Sequence, residues 1–423
     1  MTPLSLEAAR EMLLVGLKPS GRVTVRLEDA SGRVLAAGVT APGPFPPFPR
    51  SLVDGYAVGP QLCGFAGQGA IYRLVGTVPA GSNPGITLTP GTAAAIFTGA
   101  CLPAGTVAVI PGELVKRQGE FISIPGLPTG RYLEPAGAEV KGGEEILAAG
   151  TTLGPAEVGL LAALGLQEVP VYRRPRVILA ATGSELLDPA GLKENLPLVN
   201  QAGGFPYRSA GCSEAKVLPC IYNSNFYALA AAVEASGGRV VPLGVLKDSL
   251  EEQAEAYRYG LQEGDLLLTT GGAGGGSFDY TTAAFSRAGG EVLFTELDIR
   301  PGRRVIAARL GKKLMLGLPG NPPAALVTYY LLVRPVIGAL RGGEVTLPSF
   351  SARLAAVIDR PRPGRAFLWA RVRPRTGGSD WEVTPLPRLP GGIRAAVGAN
   401  ALIDLPPGKA PGIGEQVTVI MLN

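Results

Sequence analysis

The spacing of apolar residues changes character near Arg176. Residues 4–16 place Leu6, Ala9, Met12, Leu13 and Gly16 at helical spacing behind Ser5, which predicts an amphipathic helix with a serine N-cap. VTVRLEDASGRVLAAGV (23–39) alternates as strand, turn and second strand, and APGPFPPFPR (41–50) reads as an extended proline-rich connector. From about 51 to 146, short runs such as YAVGP, IYRLVGTVPAG and FISIPG lie between Gly/Pro turns, the pattern of a small β-barrel or sandwich. TLGPAEVGLLAAL (152–164) predicts one more helix, with Pro155 near its start.

Beyond Arg176 the runs lengthen and alternate. VILAATG, RVVPLGVL, DLLLTTGG and EVLFTELDI read as strands, interleaved with FYALAAAVEASGG, SLEEQAEAYRYGLQEG and TTAAFSRAGG as helices. The hairpin RVIAARLGKKLMLGLPG and the helix PPAALVTYYLLVRPVIGAL close the series, and after RGGEV (341–345) the pattern is all-β. Such alternation predicts a parallel or mixed, doubly wound-like sheet with helices on both faces, which binds ligands at the carboxyl ends of its strands.

Composition narrows the chemistry. With 60 Gly and 39 Pro in 423 residues the chain is turn-rich, yet 46% hydrophobic content argues for a folded protein. It has no histidine, which excludes a Ser-His-Asp triad, a Cys-His pair, His-ligated zinc and imidazole acid–base catalysis. The work falls to carboxylates, Arg/Lys, hydroxyls, backbone N–H groups or a bound ion. Net charge is +5 without any Lys/Arg run, so a small anionic ligand is expected rather than nucleic acid. Cys63, Cys101, Cys212 and Cys220 form no C-x-x-C pair and are too few for a disulfide framework. MTPLSLEAAREMLL is unlike a secretory signal, and the uncharged stretch 89–112 is broken by Gly and Pro. The expectation is a soluble cytoplasmic protein with no membrane partner.

Candidate chemistry collects where strands end. DLLLTTGGAGGGSFDY (265–280) runs a buried strand through Thr270, Gly271, Gly272, Gly276 and Ser277 towards a helix. Backbone N–H groups there can converge on an anion, or the run can be a tight turn for helix–sheet packing. It is not the dinucleotide fingerprint, because Ala273 and Ser277 fall on glycine positions. Glu185 follows the first strand of the sheet, Asp248 the second, and Asp279 the glycine run. Asp248 also suits the N-cap of the next helix. Three carboxylates at one rim would suit Mg²⁺, with Glu185 and Asp279 as ligands. Arg300 and Arg303 in IRPGRR offer bidentate oxyanion contacts, or a solvated turn. In LGLPGNPPAAL, Pro319 and Gly320 precede Asn321 as N-cap and Pro322 at N1, a second anion site. Asp54 and Thr98 lie beside tight turns, where each alone reads as an Asx-type turn.

SLVDGYAV, IFTGACLPAGTVAVI, EVKGGEEILAAGTTLGPAEVGLLAALGL, VPVYRRPRVILAATGSEL, TTGGAGGGSFDY, RPGRR and GLPGNPPAALV occur in one order, which resembles the molybdopterin molybdenumtransferase family, including MoeA and the E domain of gephyrin. The resemblance covers nearly the whole chain. It implies a homodimer of four-domain subunits with the cleft completed by the partner subunit, and the molybdopterin adenylyltransferase as a further partner. It implies conversion of adenylylated molybdopterin and molybdate, with Mg²⁺-dependent AMP release. Pattern and resemblance divide the chain into 1–50 with 137–174 (N-terminal/linker), 51–136 (inserted, β-rich), 175–340 (α/β, molybdopterin-binding) and 341–423 (C-terminal β-barrel). By resemblance Asp54, Thr98, Glu185, Asp248 and Asp279 are catalytic. Thr270, Gly271, Gly272, Gly276, Ser277, Arg300, Arg303, Pro319, Gly320 and Asn321 bind the pterin or molybdate.

The chain departs from the family pattern at several of these places. Ser277 stands for the first aspartate of G-D-Y-D, Ser184 for the aspartate of T-G-D-E, and Gly274 for a serine. Ala324 stands for the serine after P-G-N-P, Pro390 sits near another, Glu134 stands for an arginine, and N-S-N (223–225) replaces D-S-N. An insertion lies between Pro189 and Tyr222. Three readings follow: a divergent molybdate or tungstate insertase in which the arginines offset the lost hydroxyls, a paralogue that binds molybdopterin without completing AMP release, or a scaffold. The lost acid and hydroxyls favour the second; family membership favours the first.

Overall fold

The computed structural model describes residues 3–61, 69–124, 132–189, 221–272, 280–358, 364–375, 378, 380–387 and 392–422. The chain forms two compact units, one of Met1–Val23, Gly32–Ala36 and Val171–Asn423, the other of Thr24–Ser31 and Ala37–Pro170. Helix α1 (Leu6–Leu14) opens the first unit, and Ser5 accepts a hydrogen bond from the Ala8 amide as its N-cap.

The second unit carries a six-stranded mixed sheet. Its strands are β1 (Gly55–Val58), β2 (Ala70–Val78), β3 (Thr92–Ile96), β4 (Ala108–Pro111), β5 (Lys116–Gln118) and β6 (Phe121–Ile124), in the order β4-β1-β3-β2-β6-β5. Only β2 and β3 pair in parallel. Along β2 the period is two: Ala70, Tyr72 and Val78 are buried, whereas Ile71 and Arg73 face solvent. Helix α2 (Pro155–Ala163) starts as its sequence suggests, with Pro155 in the first turn and Glu157 accepting from the Gly154 amide at 2.9 Å. The second strand expected over VLAAGV is reduced to a Leu35–Val171 bridge and the pair Val39–Thr40. Ala36, Ala37 and Gly38 offer too little side chain to build cross-strand pairs.

In the first unit the α/β sheet comprises β7 (Arg176–Thr182), β8 (Arg239–Leu246), β9 (Leu266–Thr270), β10 (Glu291–Glu296), β11 (Arg304–Leu310) and β12 (Lys313–Leu318). The order is β8-β7-β9-β12-β11-β10; the first four run parallel, β11 runs against them and β10 runs with them. Val177–Thr182 and all of β9 are buried, as central strands covered on both faces must be. The helices α3 (Ser224–Ala235), α4 (Leu250–Glu263) and α5 (Thr281–Arg287) alternate with these strands. A last long helix consists of α6 (Pro322–Thr328), a π-helical turn (Tyr329–Val333) and α7 (Arg334–Leu340). Its length and composition would suit a bilayer, but 72% of its most apolar window is buried within the protein, as in a core helix.

Two core layers flank this sheet. Leu6, Ala9 and Leu13 of α1 join Leu229, Val233, Leu331, Val336 and Ile337 on one face, and Tyr257, Leu261 and Phe285 pack against Ile178, Leu267 and Met315 on the other. Each fully buried Leu or Phe contributes about 1.5–3 kcal/mol. The C-terminal region is a closed barrel of β13 (Ser349–Leu354), β14 (Arg365–Pro374), β15 (Trp381–Pro385), β16 (Ala401–Leu405) and β17 (Gln416–Met421), in which β14 pairs with both β15 and β16. Arg365 of β14 clasps Asp404 through Nε and Nη2 at 2.8 and 2.7 Å and reaches Glu7 of α1 at 2.6 Å, tying helix to barrel.

Candidate active site

The four adjacent parallel strands of the α/β sheet, and β10, end at one rim. Strands lie about 4.8 Å apart, so the rim spans about 24 Å from β8 to β10. On the outer pair, β7 runs out into Gly183, Ser184 and Glu185, and β8 into Lys247 and Asp248. Ser184 donates to Asp248 Oδ2 through both its backbone N–H (3.3 Å) and its Oγ (3.0 Å). Glu185 is exposed, and its carboxylate folds back over Gly183, where a Cβ would come within 2.7 Å of Oε2. Asp248 is not the N-cap of α4, as its position suggested: that cap is Ser249, whose Oγ accepts from the Glu252 amide at 3.4 Å. Serine takes the cap because Asp248 is engaged by Ser184 across the strand ends.

The central pair of strand ends is built from backbone. After β9 comes Gly271 at φ +92°, where a Cβ would lie 2.2 Å from the Thr182 carbonyl oxygen, so only glycine closes this turn against β7. Thr281, the first residue of α5, donates from Oγ1 to the Gly272 carbonyl at 3.0 Å. After β12 comes Pro319-Gly320-Asn321, and Asn321 caps α6 by accepting from the Ala324 amide at 3.3 Å. The two turns touch, with Gly320 packed on Gly271. Thr270 Oγ1 donates to the Pro319 carbonyl at 3.1 Å, and Asn225 Nδ2 donates to Thr270 Oγ1 (2.9 Å) and to the Gly320 carbonyl (2.7 Å). Asn225 was not among the sequence candidates; its only signal is its place in N-S-N at the start of a helix.

The far end of the rim is basic. Extending the β11–β12 register, in which Ile306 faces Gly317, puts Arg304 beside Pro319. Arg303 and Arg304 approach Glu296, the last residue of β10, at 3.0 and 3.7 Å. Arg300, on the same turn, is exposed and forms no ion pair among the described residues. Gly302 seats the turn against Thr328, about 10 Å along α6 from its N-cap. The rim therefore runs from carboxylates through glycine turns and a helix N-terminus to arginines.

In the other unit, Asp54 and Thr98 are not in separate local turns. They meet across the neighbouring strands β1 and β3, where Asp54 Oδ1 accepts from the Thr98 backbone N–H (2.8 Å) and Oγ1 (2.7 Å). These hydrogen bonds, the backbone one foremost, hold the Asp54 carboxyl below the ordinary aspartate range. Glu134 finds its counter-charge in Arg50 at 2.6 Å.

Three family models match the chain in order. Residues 4–165 match the MoeA N-terminal region (domain I and II), 181–339 a probable molybdopterin binding domain, and 351–422 the MoeA C-terminal region (domain IV). A molybdopterin molybdenumtransferase of Nostoc sp. is 31% identical over 409 residues, covering 94% of this chain and 88% of that protein. The molybdopterin molybdenumtransferase 2 of Mycobacterium tuberculosis is 33% identical, covering 91% of each chain. The chain belongs to the molybdopterin molybdenumtransferase family. The crystal structure of the molybdopterin biosynthesis MoeA protein from Pyrococcus horikosii superposes with TM-score 0.76 over 100% of both chains, at 28% identity.

Of the family positions, the rim brings together Glu185, Asp248, Thr270, Gly271, Gly272, Pro319, Gly320, Asn321 and Arg303 within one sheet. Gly276, Ser277 and Asp279 lie outside the described residues, as do Gly274, Pro390, Cys63, Cys212, Cys220 and most of the insertion. Ala324, where the resemblance leads one to expect a serine, is buried in the first turn of α6 and presents only a methyl group. Among the described residues no cluster of three or more Asp, Glu or Cys forms a metal site. Glu185 and Asp248 are carboxylates that follow adjacent strands, of the hard oxygen type that Mg²⁺ takes.

Proposed function

We propose that this chain inserts molybdate, or tungstate, into molybdopterin delivered in adenylylated form, with release of AMP. The observation that carries this reading is the charge order along the rim, with Glu185 and Asp248 at one end and Arg300, Arg303 and Arg304 at the other. A substrate with a cation-binding phosphoanhydride at one end and an oxyanion-accepting centre at the other matches that order. Backbone N–H groups of the Gly271–Gly272 turn and of the first turn of α6 bind the pterin's phosphate and polar edge, since helix N-termini and glycine turns favour anions. The arginines hold molybdate through charge-assisted hydrogen bonds. Asp248, oriented by Ser184, and Glu185 hold Mg²⁺, with Asp279 as the further ligand that the family pattern implies. A Mg²⁺ held by these carboxylates would supply charge neutralisation at the leaving phosphate. The protein works as a cytoplasmic homodimer whose cleft is completed by the partner subunit, and it receives its substrate from a molybdopterin adenylyltransferase.

Ala324 favours a second reading: the methyl group removes a hydroxyl donor from the oxyanion end, which suits a protein that holds the pterin without turning it over. One experiment separates the two. Purified protein is incubated with adenylylated molybdopterin, Mg²⁺ and molybdate, and AMP is followed. Release above the uncatalysed rate is expected; tight pterin binding with no AMP release would establish the second reading.

A further inference from the structure

The side chain of Asn225 joins three separate segments at the rim. It projects from the first turn of α3, whose start is fixed by Asn223, 2% exposed, through Oδ1 accepting from the Phe226 amide (3.1 Å) and the Asn223 N–H donating to the Leu187 carbonyl (2.8 Å). From that fixed base, Asn225 Nδ2 spends its two hydrogens on Thr270 Oγ1 and the Gly320 carbonyl. Thr270, 1% exposed, passes its own hydrogen to the Pro319 carbonyl. The end of β9 and the turn after β12 are thereby linked twice. Asn225 Oδ1 is buried and accepts no hydrogen bond among the described residues. Buried amide oxygens rarely stay unpaired, so the leftover acceptor is open to a donor that the described residues do not supply.

We infer that Asn225 is a positioning residue: it locks the glycine turn and the Pro-Gly-Asn-Pro turn at one spacing, and it keeps Oδ1 available to an N–H or O–H donor of the bound ligand. The chemistry demands asparagine. Two hydrogens on one planar nitrogen serve two acceptors at once, whereas an ionised aspartate offers none and serine offers one. This rests on the reading of the rim as a pterin site, but its first test needs no ligand.

Amide hydrogen exchange on the full-length protein, read in peptides covering 266–272 and 316–323, is compared for wild type, Asn225→Ala and Asn225→Ser. Exchange at least 10-fold faster in both segments of the alanine variant, with an intermediate rise for serine and unchanged exchange in β7, is expected. Acceleration confined to α3, or none, would overturn the lock. Should Asn225→Ala fail to fold, the serine variant alone decides, because it retains one of the two donors. Binding of molybdopterin is then titrated: the alanine variant is expected to bind at least 10-fold more weakly, and equal affinity would overturn the ligand role of Oδ1. A wild type that binds no molybdopterin would refute the functional reading and with it the role of Oδ1, while the exchange result would still decide the lock.

Discussion

Arg10 Nε donates to the carbonyl of Leu331 at 2.7 Å. In an α-helix that carbonyl would accept from the residue four positions on, but Pro335 has no N–H. The arginine on α1 supplies this carbonyl with a hydrogen that Pro335 cannot. Burial pushes the Arg10 guanidinium below the usual arginine range, against the opposing pull of Glu7. Arg10→Met is expected to cost about 1–3 kcal/mol, the range for leaving a buried acceptor unpaired. In a Pro335→Ala background the same change should cost less, because alanine restores the missing N–H; urea unfolding of the four proteins measures this coupling.

The two glycine turns respond oppositely to a methyl group. Gly271→Ala forces a Cβ against the Thr182 carbonyl in a left-handed conformation, and a loss of about 1–3 kcal/mol is expected. Gly320→Ala meets nothing nearer than 3.5 Å, so a change within about 0.5 kcal/mol is expected. Thermal denaturation of both variants checks the contrast.

Asp54 and Thr98 give a pH signature. The folded carboxyl titrates below its unfolded value of about 3.9. The interaction is thus fully present above that value and lost as pH falls through the lower folded pKa. Thr98→Val removes the hydroxyl bond and keeps the backbone one, so the Asp54 midpoint should rise only part of the way towards the unfolded value. Carboxyl-carbon NMR titration reads it; an unmoved midpoint would assign the whole effect to the backbone N–H.

The arginines of the R-P-G-R turn are not equivalent. Arg303 already pairs with Glu296, whereas Arg300 has no ion partner among the described residues. Arg300→Ala is expected to raise the molybdate concentration for half-saturation about 10-fold, equivalent to about 1.4 kcal/mol. Arg303→Ala should raise it less than about threefold. Calorimetric titration with molybdate distinguishes them.

Arg365 anchors the barrel to α1. Arg365→Lys replaces a two-pronged clasp on Asp404 with a point charge and abandons Glu7, and about 1.5–3 kcal/mol is the expected loss. Glu7→Gln, at an exposed end of the same network, should stay below about 1 kcal/mol. Chemical denaturation compares the two.

What the sequence made legible follows from its physics. VILAAT and LLLTT are uncharged, mostly apolar runs because a central parallel strand is buried on both faces, and this revealed the α/β sheet and the ends of its strands. Asn321 and Pro322 announce the start of α6 because capping is local. The β-rich segment was harder: period-two alternation marks strands without naming their neighbours, so the order β4-β1-β3-β2-β6-β5 was not readable. Long-range pairings were equally hidden. Asp54 meets Thr98 across 44 residues, Ser184 diverts Asp248 from its local cap across 64, and Asn225 joins turns 45 and 95 residues away. Each of these side chains has a plausible local use, and only the fold decides against it.

The anchoring of α1 carries a consequence for the order of events at the ribosome. Glu7 and Arg10 find their partners 358 and 321 residues later in the chain. At about 5–20 residues per second, roughly 16 to 70 seconds pass between synthesis of the helix and emergence of the groups that hold it. Throughout that interval the whole second unit is made, while the core that Leu6 and Leu13 join is still incomplete. Helix α1 can complete its set of partners only after the barrel strand that carries Arg365 has been made.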